Sequence, residues 1–276
     1  MVTGGAVRLT GSGLGCPTWP QCTPGSYTPV PHQAQGKVHS WIEFGNRLLT
    51  FLLIIAIVAA IAGVIRWGRN RSDSRTILFL AFVQFFGIVA QIIVGGISVL
   101  THLNPFAVGA HFIISIFLIF STVSLRARML NIPRISLPLL PRRMSRIVFL
   151  NSFFVIVLGI FVTGSGPHAG DQMAKRFHLD PRTVSWLHAD SVIALISLAF
   201  GLWILIKALN SKDELSLASN KLGLFLIISL SQGFIGYTQY FTRLPEYLVA
   251  AHLLGASLVW ASICSFAYST KLLEKA

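Results

Sequence analysis

Three histidines and one asparagine fall at matched places in this chain. "QIIVGGISVLTHLNPFAVGAH" runs from Gln91 to His111, and "QGFIGYTQYFTRLPEYLVAAH" runs from Gln232 to His252. The interval from Gln to His is identical in the two. Each copy also carries a Gly four or five residues after the Gln, a Thr ten residues after it, and a Pro before the His. The same offset, lengthened by one position, carries Asn46 of "IEFGNRLL" onto His188 of "SWLHADSV". The matched set is therefore Asn46 and His111, then His188 and His252. A histidine inside a long apolar run is costly and marks a functional site by default. Taken singly, each has a plainer reading as a hydrogen-bonded packing group. A pair on alternate helices at equal depth suits the two axial positions of a haem iron. Zinc would want further ligands, and no thiolate lies at that depth.

Glu43 and Arg47 fall one turn apart on one face of the same run. One reading is an interfacial ion pair. The other is a carboxylate that passes protons at a reacting centre. Cys16 and Cys22 precede them in a stretch rich in Pro and Gly. If that stretch faces an oxidising compartment, a disulfide is favoured; a zinc site with His32 and His39 is the alternative. Arg8, Lys37 and Arg243 stand near the ends of apolar runs, where they could pair with anionic groups or simply snorkel. Cys264 lies within an apolar run and reads as packing.

The elements that must position these residues are membrane helices. Of 276 residues, 54% are hydrophobic and 11% charged, against roughly 25% charged in soluble domains; the mean hydropathy is +0.70. The net charge of +13 collects between apolar runs, as in loops that face anionic lipid, and not on a nucleic-acid-binding face. Crossing about 30 Å of hydrocarbon takes about 20 apolar residues. That length predicts seven spans, near 41–66, 76–100, 106–127, 146–163, 184–207, 221–241 and 246–270. None shows strand alternation, so the expected class is an all-α membrane bundle. "RWGRNRSDSR" holds four arginines and "RARMLNIPRISLPLLPRRMSR" six. With the loop near 207–221 and the tail, these form the inner side, which places the C-terminus in the cytoplasm.

Residues 1–40 then lie outside with no span before them. "VTGG" at 2–5 echoes "VTGS" at 162–165, and the second copy closes an apolar run while the first has none ahead of it. The repeat therefore predicts two pseudo-symmetric four-helix halves, the first lacking its opening helix. Their expected limits are 1–127, with a Cys-containing outer loop at 6–40, and 146–276, joined by a basic linker at 128–145.

"VRLTGSGLGCPTWPQC", "IEFGNR", "VLTHLNPFAVGAH", "VTGSGPHAGD", "WLHADS" and "VAAHLLGASLVW" together resemble the haem A synthase family over almost the whole chain. The resemblance implies a membrane enzyme that oxidises the C8 methyl of haem O to a formyl group for cytochrome oxidase. It implies a haem b cofactor held by His188 and His252, a substrate haem near His111, a catalytic Glu43 and an outer-loop disulfide between Cys16 and Cys22. It also implies an external electron donor, and a place beside haem O synthase and cytochrome oxidase assembly in the cell membrane, with the haem sites toward the outer face. Asn46 departs from the family's Glu-x-x-His-Arg pattern, since an amide is a poor iron ligand; a weak contact with substrate haem is what remains for it. His39 is about 10 Å from Asn46 along a helix, too far to serve the same iron, and His102 lies in an outer loop. The rival reading is a dihaem b-type electron carrier that leaves haem unmodified. A transporter, the reading the repeat alone would suggest, fits poorly with parallel copies and unbroken helices.

Overall fold

The computed structural model describes residues 1–67, 71–210 and 213–273. These form eight helices: α1 (Val2–Leu9), α2 (Lys37–Trp67), α3 (Ser74–Leu100), α4 (Pro105–Met129), α5 (Leu139–Ser165), α6 (Pro181–Leu209), α7 (Ser216–Phe241) and α8 (Glu246–Ser269). Strands are absent from the described residues apart from an isolated Thr23–Ser26 bridge. Helices α2 to α8 are each long and apolar enough to cross a membrane, so the chain is an all-α, multi-pass membrane protein. The backbone has little alternative, because hydrocarbon offers no partner for an unpaired N–H or C=O. Arg69, Lys212 and Lys275, counted among the inner-side charges, lie outside the described residues.

The helices extend past the apolar runs. Helix α5 starts at Leu139, well before its hydrophobic stretch, and takes Arg142, Arg143 and Arg146 into its first turns. Apolar length marks the hydrocarbon, whereas helix length follows backbone bonding beyond it. Proline opens α4 and α6, where its missing N–H costs nothing. The Asn104 side chain caps α4 by accepting the Phe106 N–H at 3.0 Å.

Helix α1 is an addition to the sequence reading. "VTGG" is helical and begins α1, while "VTGS" ends α5. The chain then runs without regular structure to Lys37, tied by a Cys16–Cys22 disulfide.

The repeat is written in the backbone as well. After α3, His102 and Leu103 take positive φ, and the Leu103 N–H donates to Ser98 O at 2.7 Å. After α7, Arg243 and Leu244 do the same, with the Leu244 N–H donating to Gln239 O at 2.7 Å. These are one helix-ending turn made twice, at the offset that separates His111 from His252. The ends of α4 and α8 match similarly, with Asn131 and Lys271 at positive φ.

Contacts divide the chain into two compact units, residues 1–118 with 160–181, and residues 119–159 with 182–276. In the first, α2 packs on α1 and α3, with Ile77, Ala81 and Ile116 fully buried. Leu103, Ala169 and Ala174 form a small core beneath the loops. In the second, α7 packs on α8 around Leu202, Leu222, Phe225, Ile263 and Phe266. There, residues 134 and 135 are pinned to the end of α8: the Ile135 N–H donates to Ser269 O, and Arg134 lies over the Tyr268 ring at 4.6 Å.

Candidate functional site

Each of the three intramembrane histidines rests against a glycine on the preceding helix. A Cβ built on Gly95 would meet His111 Cε1 at 3.4 Å and Nδ1 at 3.7 Å. On Gly159 it would meet His188 Cε1 at 3.4 Å and Nδ1 at 3.8 Å, and on Gly236 it would meet His252 Cε1 at 3.3 Å and Nδ1 at 3.8 Å. In all three, the Nδ1–Cε1 edge of the ring faces the glycine and Nε2 lies beyond that contact. The arrangement is the same in both units. Sequence reasoning found the histidines and the Gln-to-Gly spacing, yet assigned no part to the glycines.

His188 carries one more constraint. Its Nδ1 is 3.0 Å from the Val155 carbonyl, one turn before Gly159. A carbonyl only accepts, so the proton must sit on Nδ1, which leaves the Nε2 lone pair free. A backbone carbonyl that sets the tautomer this way is a common support for a metal-binding imidazole. His252 lies in the same compact unit as His188. Among the described residues, the Nδ1 atoms of His111 and His252 are buried without a hydrogen-bond partner. On α3, Gln91 Nε2 donates to the His111 carbonyl at 3.1 Å and lies 2.7 Å from Ser115 Oγ.

Asn46 is half-buried on α2, and no described glycine plays this part for it. One turn nearer the helix start, Glu43 is 4% exposed. Its Oε2 accepts the Cys16 N–H at 2.6 Å, and its Oε1 takes Arg47 Nη2 at 2.6 Å and Nε at 3.2 Å. Arg47 also donates to the carbonyls of Cys16, Thr18 and Gln21. The pair is thus the anchor that fastens the disulfide loop to α2. With both cysteines bonded to each other, the zinc alternative has no thiolates. His39 instead lies 2.9 Å from Ser12 Oγ.

Of the cations near helix ends, Arg8 is committed most firmly. It donates to the His168 carbonyl at 3.0 Å and lines a cavity of about 420 Å³ with His168, Asp171 and Arg176. Burial, helped by the Arg176 guanidinium, holds its pKa down to about 10. Lys37 and Arg243 are exposed.

The sequence model of the COX15-CtaA family, described as cytochrome oxidase assembly protein, matches residues 1–264. The chain belongs to that family. Similar proteins include "Heme A synthase" of Geobacillus thermodenitrificans, 32% identical over 109 residues, which are 40% of this chain and 32% of that protein. "Heme A synthase" of Staphylococcus epidermidis is 33% identical over 106 residues, 37% of this chain and 30% of that protein. "Heme A synthase" of Exiguobacterium sibiricum is 28% identical over 171 residues, 60% and 55% of the two chains. The chain therefore spans about a third of the length of the first of these relatives. No solved structure matches it.

Proposed function

We propose that the chain is a haem A synthase, a membrane oxidoreductase that converts the C8 methyl of haem O into the formyl group of haem A by two successive hydroxylations. Each consumes one O2 and two electrons from an external donor and releases water, and the resulting gem-diol then loses water. The observation that carries this reading is the glycine-backed histidine, built three times, with the His188 tautomer set for a metal. Family membership gives it a direction.

The residues fit a resident haem. His188 and His252 belong to one unit; each turns an Nδ1–Cε1 edge to a helix and leaves Nε2 for iron. A haem b bound there would supply one-electron transfer between an external donor and the substrate site. His111, the matched group of the other half, would hold substrate haem O. Asn46 would add at most a hydrogen bond, since its amide is no iron ligand. Glu43 would serve as the proton-handling group of that half. Oε2 accepts only the Cys16 N–H among the described residues, so a lone pair remains for a proton. Arg47 orients the carboxylate throughout.

On this reading residues 1–127 form the substrate half, 128–145 the basic cytoplasmic linker and 146–276 the haem b half. The site lies toward the outer face of the cell membrane, with the C-terminus in the cytoplasm. Haem O synthase would supply the substrate, and cytochrome oxidase assembly would receive the product.

The deciding experiment is haem extraction after expression with a source of haem O. Haem A, or haem O hydroxylated at C8, is the expected product. Unchanged haem O beside intact haem b would overturn the proposal in favour of a dihaem electron carrier.

A further inference from the structure

Glycine in a helix interior costs about 1 kcal/mol relative to alanine, so three of them behind three matched histidines call for a cause. The contact supplies it. Optimal carbon–carbon separation is about 3.5–4.0 Å, and a methyl at these positions would sit 3.3–3.4 Å from Cε1. At Gly236 the ring would have to give by a few tenths of an ångström, whereas at Gly95 and Gly159 a methyl would stand at the inner limit of ordinary contact and leave the ring no slack on that side. The contact is made at the Nδ1–Cε1 edge, and Cε1 is bonded to Nε2, so any displacement would pass directly to the direction in which Nε2 points.

The spacing supports a common device. Gly95 and Gly236 each stand one helical turn after their glutamine, Gln91 and Gln232, and the interval from each glycine to its histidine is the same. Gly159 likewise stands one turn after Val155, whose carbonyl takes the His188 Nδ1 proton. For His188, one turn of helix thus offers the ring both a flat seat and an acceptor, while His111 and His252 share only the seat. Two other helical glycines are unlike these: Gly201 and Gly233 have nothing among the described residues within 4 Å of an added Cβ. Gly233 stands on α7 itself, one turn before Gly236.

We infer that Gly95, Gly159 and Gly236 are positioning residues, which set the ring orientation of His111, His188 and His252 and so the strength and angle of each axial bond to iron. The inference rests on the proposed haem ligation and gives it a structural cause. It also treats His111 as an iron-facing group of the same build as the other two.

The test uses the purified full chain with its resident haem. Wild type should show a low-spin, two-histidine centre by optical and electron paramagnetic resonance spectra; its absence would sink the ligation reading itself, before any variant is compared. Gly159→Ala and Gly236→Ala should change the g-tensor and reduction potential of that centre, or lose the haem from protein that still elutes as a folded species. Gly201→Ala and Gly233→Ala should leave both unchanged. Gly95→Ala should leave the resident centre as in wild type and alter the spectrum that appears when haem O is added. That arm keeps the test decisive if the α5 and α7 variants fail to fold, because the resident haem itself reports folding. Wild-type spectra in all three cradle variants, with low-spin haem present, would overturn the inference.

Discussion

At the scale of the residue, the site separates into groups that face iron and groups that hold a loop. His188→Ala or His252→Ala should abolish the low-spin signal of the resident haem, because the centre loses an axial ligand. His111→Ala should keep that signal and stop haem A formation, and Asn46→Ala should be much milder, near the loss of about 1 kcal/mol expected for one hydrogen bond. Spectra and extracted haem measure both. Equal damage from Asn46→Ala and His111→Ala, with the resident haem retained, would refute the assignment of Asn46. Arg47 belongs to the second group. Its guanidinium serves three loop carbonyls and the buried Glu43 carboxylate at once. Arg47→Gln should leave those acceptors unpaired at about 1–3 kcal/mol, seen as faster proteolysis within the loop between α1 and α2. Arg47→Lys should rescue poorly, since a point charge lacks the fork. Unchanged proteolysis in both variants would mean that the loop is held by other contacts.

At the scale of the element, close approach between helices is the recurring device. Gly255 of α8 leaves room for the Gln232 side chain of α7, which occupies the place a Cβ would take. Gly255→Ala should overpack that contact and cost about 1–3 kcal/mol, read as a lower thermal midpoint with the resident haem followed as the probe. An unchanged midpoint would show that Gln232 moves aside freely. The helix-ending turns after α3 and α7 make the same point about the backbone. Positive φ at His102, Leu103, Arg243 and Leu244 is not readable from those residue types, because none of them is glycine and the turn is imposed by the bond back to Ser98 or Gln239. What was readable was the constant offset that places the two turns.

At the scale of the whole molecule, charge asymmetry sets orientation. The arginine-rich connections 66–75 and 126–146 should stay on the cytoplasmic side. A fluorescent protein fused after Ala276 should therefore light up in cells, and an alkaline phosphatase fused there should stay inactive. The opposite pair of results would invert the topology and place the histidines toward the inner face.

The sequence by itself determined the seven spans, their all-helical class and the four matched positions. Hydrocarbon permits little besides helices of a set length, and a duplication leaves a constant numerical offset. For Cys16 and Cys22 the sequence favoured a disulfide over a metal site, and the bond is present. Only the tertiary structure decided that Glu43 and Arg47 fasten the disulfide loop to α2, that α1 exists, and which edge of each imidazole is covered. Those facts depend on how closely segments far apart in the chain approach one another. At Gly95, Gly159 and Gly236 that approach brings an imidazole edge to 3.3–3.4 Å from where a methyl would stand, and no periodicity or composition records it.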